Sequence, residues 1–287
     1  MRDDITESEL DSISNNECLF PSIASDIEFG VTIESNDFIR YNSAYNVENK
    51  LKDKLKTPFI FSNNGSECII KQIIECLSKE CHNWVIPSPT FGLADFYADY
   101  YGCIVERPEY NFKNEFYLPL NIYQTKNKTL YMVSPHNPTG ITLTYEEISS
   151  LCHEYRYVII DEAYIRPDSD ILIQRDNLII IRTFSKMGGI TGLRFGYGIC
   201  FNCSLYNKFL QIRPNYINAI TLKYVDYILE NFITHKIEQK IQEEIKKLDN
   251  LSIIAKAGNF ILLEGQKTYN GKPVIPPILL KVLIIIK

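Results

Sequence analysis

Long hydrophobic runs are missing from this chain. The most apolar stretch, residues 274–286, contains Lys281 and two prolines and is too short to span a bilayer. It reads as a buried strand or an adhesive terminus. The first nine residues are acidic and lack the apolar centre of a secretory leader, so the expected location is the cytoplasm. An excess of one charge is also missing. Thirty Lys and Arg against 35 Asp and Glu leave a net charge of −5, which offers no general attraction to nucleic acid or an anionic membrane. No internal repeat or low-complexity linker interrupts the chain. Eight cysteines are scattered (Cys18, Cys68, Cys76, Cys81, Cys103, Cys152, Cys200, Cys203), and a chain this long needs no disulfide framework. Cys200 and Cys203 form a single C-x-x-C without the second pair or the nearby histidines that zinc would want, so free thiols and no metal are expected.

What remains is enough for a packed core. Of 287 residues, 45% are hydrophobic and 23% charged, which excludes a disordered chain and allows one large domain with a small appendage. Short apolar runs alternate with amphipathic stretches. Strands are predicted at Phe59–Ser62, Trp84–Pro87, Cys103–Glu106, Thr129–Ser134, Tyr157–Asp161, Leu178–Thr183 and Phe195–Cys200. Between them, helical spacing is predicted after Gly65, up to Tyr101, and from the Thr144–Glu147 capping box to about Tyr155. Residues 217–250 read as one or two long helices ending in a charged, solvated run. Continuous apolar strands alternating with helices imply an α/β fold: a mostly parallel, seven-stranded sheet covered on both faces.

Ligands of such sheets bind beyond the carboxyl ends of the strands. Gly65-Ser66, Phe91, Asn137, Asp161 and Ser185-Lys186 each end a predicted strand or follow one within a few residues. Lys186, after a buried strand, could be a partly desolvated amine nucleophile able to form a Schiff base, or equally a lysine snorkelling from a loop. Asp161 is costly at a strand end unless it meets a cation or strong donors; a protonated pyridine nitrogen would suit it, as would a metal or a cap. Tyr164 could reach a ring hydroxyl, or simply pack. Gly65, Ser66 and Glu67 open a helix whose free N–H groups suit a phosphate, with Ser185 and Arg194 adding a hydroxyl and a guanidinium. Phe91 could stack on a flat heterocycle, and Asn137 could aim an amide at a ring oxygen from a proline-braced turn. Each has a plain structural alternative when taken singly. Together they ask for a flat, phosphorylated, aldehyde-bearing pyridine, which is pyridoxal 5′-phosphate.

The ordered set Ser134-Pro-His-Asn-Pro-Thr-Gly, Asp161-Glu-Ala-Tyr and Thr183-Phe-Ser-Lys followed by Arg194-Phe-Gly-Tyr resembles the fold-type I pyridoxal-phosphate enzymes of the class I/II aminotransferases. Within them the similarity is nearest to histidinol-phosphate aminotransferase and threonine-phosphate decarboxylase, and covers roughly residues 40–260. The resemblance implies that Lys186 holds the cofactor as a Schiff base and shuttles protons, and that Asp161 pairs with the ring nitrogen. It implies that Asn137 and Tyr164 contact the ring oxygen and that Phe91 stacks on the ring. Gly65, Ser66, Glu67, Ser185 and Arg194 then surround the phosphate. It further implies a homodimer with a shared site, into which Tyr41 (or Tyr45) reaches from the neighbouring subunit, and a small-molecule amino acid or amino-phosphate substrate.

The expected organisation is an N-terminal arm over residues 1–45, a large cofactor-binding domain over 46–215, and connecting helices with an abbreviated small domain over 216–287. Gly258–Glu264 resembles the first strand of that small domain. The family normally supplies an arginine there for the substrate's carboxylate or phosphate, yet no arginine follows Arg213. Loss of such a clamp costs roughly 2–4 kcal/mol of binding and positioning. Arg40, Lys256, Lys267 and Lys272 are the candidate stand-ins. The leading expectation is an aminotransferase. A phosphate-substrate decarboxylase and a non-catalytic relative are the alternatives.

Overall fold

A computed structural model describes residues 30–109, 126–137, 140–171, 173–214, 216–246, 253–257, 260–263 and 278–281. Seven strands form one sheet: β1 (Phe59–Asn63), β2 (Asn83–Val85), β3 (Ile104–Glu106), β4 (Thr129–Val133), β5 (Tyr157–Asp161), β6 (Leu178–Thr183) and β7 (Gly196–Cys200). Their order is β1-β7-β6-β5-β4-β2-β3. Only β7 runs against its neighbours, so β1 stays parallel to β6 and the carboxyl ends of the other six strands share one edge. All seven predicted strands are present, with ends shifted by a residue or two.

The central strands are mostly apolar because both faces are covered. Val158 and Ile160 of β5 enter one core together with Leu178 and Ile180 of β6, whereas Ile159, Ile179 and Ile181 enter the other. Helix α1 (Ser35–Ile39) buries none of its residues. The first core is closed by α2 (Tyr45–Leu55), which buries Val47, Leu51 and Leu55. The second is closed by α3 (Ser66–Leu77), whose Ile69, Ile70, Ile73, Ile74 and Leu77 form a helical stripe, and by α4 (Gly92–Tyr100) through Ala94 and Ala98. Helix α5 (Tyr145–Glu154) begins on the expected capping box: Glu147 N donates to Thr144 Oγ1 at 3.2 Å and Thr144 N to Glu147 Oε2 at 2.7 Å. Helix α6 (Cys203–Ile212) starts at Asn202, whose side chain accepts from the Ser204 and Leu205 amides. The predicted helical region divides into α7 (Ala219–Glu230) and α8 (Ile233–Lys246), with Phe232 at φ 53° between them.

Helices α2 and α6 have no counterpart in the sequence reading, which followed the strand-and-loop rhythm. The small-domain reading also needs correction. Strand β9 (Phe260–Leu263) is not the first strand there: β8 (Ile253–Ala257) precedes it, and β9 is the middle of a three-stranded antiparallel sheet completed by β10 (Ile278–Lys281). Among the described residues no helix is long and apolar enough to cross a membrane.

Candidate active site

Strand β1 delivers Gly65 to the edge of the sheet. Gly65 has φ +87°, a conformation that L side chains rarely adopt, and it stands at the N-cap of α3 without any side chain to occupy the first-turn amides. A methyl group on Gly65 would stand 2.7 Å from Arg194 Nη2. Arg194, itself left-handed at φ 54°, donates from Nη1 to Ser185 Oγ (3.1 Å) and to the Thr191 carbonyl (3.3 Å). Gly65, Ser66, Ser185 and Arg194 therefore converge, combining a helix N-terminus with a guanidinium and a hydroxyl, a donor set that could hold an anion such as a phosphate. Burial and, after it, the charge of Glu67 push up both the Tyr97 phenol and the Cys68 thiol. The Glu67 carboxylate thus acts on the side of α3 facing α4, and only its backbone amide suits an anion.

Asp161 ends β5 and is 3% exposed. Its Oδ2 accepts from the Tyr131 hydroxyl at 2.7 Å and its Oδ1 from the Ala163 amide at 3.0 Å. Burial pushes the carboxyl up to about 6, against the two hydrogen bonds and the charge of Lys186, while Glu162 adds to the rise. Lys186, half-buried in the loop after β6, is near enough for its charge to act on Asp161. The loop is fixed by Thr183 Oγ1, which accepts from the Ser185 amide and donates to the Phe195 carbonyl, both at 3.1 Å.

Asn137 follows β4 in a turn braced by the His136 amide on the Ile141 carbonyl and by the Leu143 amide on Ser134 Oγ. Its Nδ2 donates to the Tyr164 hydroxyl at 2.7 Å, so the two polar tips that the resemblance assigns to one ring oxygen meet. Phe91 is the N-cap of α4 and is 49% exposed. Its loop is tied to the Asn137 turn by His136, whose Nε2 lies 2.7 Å from the Pro89 carbonyl and must carry the proton there. The structure does not bring Tyr41 to this cradle. It is 84% exposed and stacks on Tyr216 with centroids 4.5 Å apart. Tyr45, at the start of α2, is also exposed.

Sequence reasoning passed over Tyr131, His136 and Thr183. Tyr131 had a signal, a phenol between Leu130 and Met132 in the middle of a buried strand; His136 and Thr183 lie inside the motifs that carried the reading. Arg40 caps α1, Lys256 lies on β8, and Lys267 and Lys272 lie outside the described residues. Cys200 is buried and its thiol is pushed up to about 12 by that burial. Among the described residues no three His, Cys, Asp or Glu side chains converge as metal ligands.

The family described as aminotransferase class I and II matches this chain over residues 14–269. The chain belongs to that family. Curated relatives include histidinol-phosphate aminotransferase 2 of Archaeoglobus fulgidus, 29% identical over 230 residues, 74% of this chain and 66% of the relative. The histidinol-phosphate aminotransferase of Pyrococcus furiosus is 31% identical over 186 residues, 62% of this chain and 54% of the relative. The chain spans about two thirds of the length of the curated relatives it matches. Among solved structures, histidinol-phosphate aminotransferase from Sinorhizobium meliloti in complex with pyridoxal-5′-phosphate superposes with a TM-score of 0.71 at 19% identity, covering 86% of this chain and 73% of that one. L-threonine-O-3-phosphate decarboxylase from Porphyromonas gingivalis gives 0.65 at 21% identity, covering 81% and 79%. The family thus adopts here the type I fold of pyridoxal-phosphate-dependent transferases, with a seven-stranded, mostly parallel sheet.

Proposed function

We propose that this chain is a pyridoxal-phosphate-dependent aminotransferase that moves an amino group between an amino donor and a keto or aldehyde acceptor. The observation that carries the reading is a buried carboxylate, Asp161, within electrostatic reach of the Lys186 amine at the sheet edge that also holds an anion cradle. Pyridoxal phosphate, when bound, supplies an electron sink that stabilises negative charge on the substrate carbon.

The protein's residues do the rest. The α3 amides, Ser185 and Arg194 bind the phosphate. Asp161, held as an anion by Tyr131 and Ala163, binds a protonated ring nitrogen and keeps the proton there. Asn137 and Tyr164 orient the ring through its oxygen, and the half-exposed ring of Phe91 covers one ring face. Lys186 Nζ is the amine that would hold the cofactor covalently and, once free, would take the proton from the substrate Cα and hold it for return.

The aminotransferase names of the curated relatives favour transfer over decarboxylation. The substrate class is a small amino acid or amino-phosphate. We further place the chain in a cytoplasmic homodimer, where the outward-facing Tyr41 completes a partner's phosphate site. Addition of pyridoxal phosphate gives a visible absorbance band, and borohydride fixes the cofactor to Lys186. A wild-type protein without the band, or a Lys186→Ala variant that retains a borohydride-fixed cofactor, would overturn the proposal. Accumulation of the amine form of the cofactor with an amino donor identifies transfer; release of carbon dioxide identifies decarboxylation.

A further inference from the structure

Behind the candidate site, Tyr131 is a phenol buried in the middle of β4, on the face it shares with Thr129 and Val133. It is 1% exposed and packs in the core that also contains Trp84, Val133 and Ile159. In the parallel register Tyr131 pairs with Ile159 and Val133 with Asp161. Alternate residues of a strand share a face, so Tyr131 and Asp161 lie on the same face, one step diagonally apart across the ladder. A buried phenol needs an acceptor, and the one it meets is Asp161 Oδ2, at 2.7 Å.

We propose that Tyr131 is a positioning residue: its hydroxyl holds the Asp161 carboxylate in one orientation and as the anion that a protonated ring nitrogen requires. The inference rests on the pyridoxal-phosphate reading for its purpose, but not for its test.

Several groups act on this carboxylate. From β4 comes the Tyr131 hydroxyl. From the segment after β5 come the Ala163 amide on the other oxygen and the charge of Glu162, and from the loop after β6 comes Lys186. Tyr164 acts on Tyr131 itself. Burial raises the Asp161 carboxyl, and Tyr131 is the largest of the influences opposing it. Burial, and then the charge of Asp161, push the Tyr131 phenol well above its usual value, so it remains a donor at every working pH. Without that donor the carboxylate keeps the Ala163 amide on Oδ1, and Oδ2 has only the charge of Lys186 to favour ionisation. A proton then shifts from the ring nitrogen toward Asp161 Oδ2, and the ring withdraws electrons less strongly.

The test follows Asp161 by carbon-13 NMR of labelled aspartate in the full chain without added cofactor, with Asp161→Asn identifying the resonance. In Tyr131→Phe the Asp161 titration moves up from about 6 by about one unit or more, the size expected for one hydrogen bond to a charged group. With 3-fluorotyrosine at position 131, a stronger donor of nearly unchanged shape, it moves down. With cofactor and an amino donor, Tyr131→Phe lowers kcat about tenfold with KM nearly unchanged, and the acid limb of its pH profile moves upward. An Asp161 titration that is the same in wild type and in the variants overturns the proposal, whether or not borohydride fixes cofactor to Lys186. Should Tyr131→Phe fail to fold, the fluorotyrosine protein carries the test alone.

Discussion

Gly196 lies directly beneath Ser66: a methyl group on its Cα would stand 2.3 Å from the Ser66 amide nitrogen. The first residue of the antiparallel strand β7 thus touches the first turn of the helix that opens the anion cradle, and the contact requires a bare Cα. Gly196→Ala has to push the α3 N-terminus away from β7. The expected cost is about 1–3 kcal/mol of stability, together with weaker cofactor binding because the amides no longer converge with Arg194. Denaturant unfolding and a fluorescence titration with pyridoxal phosphate measure the two effects. Unchanged affinity would show that the cradle lies elsewhere.

Arg194 supplies the only guanidinium placed at the cradle among the described residues. Arg194→Gln removes the charge and most of the fork while leaving a polar side chain of similar reach. A charge-assisted contact is worth about 1.5–3 kcal/mol, so cofactor affinity should fall about 10- to 100-fold. Inorganic phosphate should compete with pyridoxal phosphate for the wild type and much less well for the variant, as equilibrium dialysis would reveal.

The parts of the sequence that could be read are those where local pattern and chemistry coincide. Each strand of the sheet is an apolar run closed by a turn, and Gly65, Asn137, Asp161 and Lys186, each ordinary singly, stand out because they end or follow strands at one sheet edge. What could not be read depends on contacts across the sheet. That Tyr131 meets Asp161 follows from the β4–β5 register, and that His136 meets the Pro89 carbonyl depends on the placement of two loops 47 residues apart. Helix α2 carries a plain apolar stripe of Val47, Leu51 and Leu55, but its polar face outweighs it in any composition window. The three-stranded sheet of β8, β9 and β10 draws on segments separated by residues 264–277, a pairing that no local signal announces.

Asp161 should make the unliganded protein less stable above pH 6. Its carboxyl is raised from a usual 3.8 to about 6, so between those values the folded state binds more protons than the unfolded one, and this contribution falls as pH rises. About two units correspond to about 3 kcal/mol. Asp161→Asn, whose Oδ1 can still accept from the Ala163 amide while its Nδ2 donates to the Tyr131 oxygen, should therefore stabilise the cofactor-free protein at pH 7 by about 1–3 kcal/mol and abolish transamination. At pH 4 the gain should vanish. Urea unfolding at both pH values tests this, and a variant less stable than wild type at pH 7 would contradict it.

His136 acts in the opposite direction. Burial lowers its imidazole from 6.5 to about 4, despite the hydrogen bond to the Pro89 carbonyl, so the folded state holds the ring neutral where the unfolded chain is protonated. Its contribution is full above pH 6.5 and is lost as pH falls toward 4. Over pH 4–6 this slope opposes that of Asp161, and the wild type should show a flattened stability profile. His136→Gln removes the titration while retaining an amide able to donate to Pro89. Stability of this variant should then decline steadily as pH rises from 4 to 6, exposing the Asp161 slope. His136→Ala leaves the Pro89 carbonyl without its donor, at a cost of about 1–3 kcal/mol, and frees the loop that carries Phe91 from the turn that carries Asn137. Limited proteolysis should then cut near residues 88–91 faster than in His136→Gln. Equal cleavage in the two variants would mean that the imidazole fills space without joining the two loops.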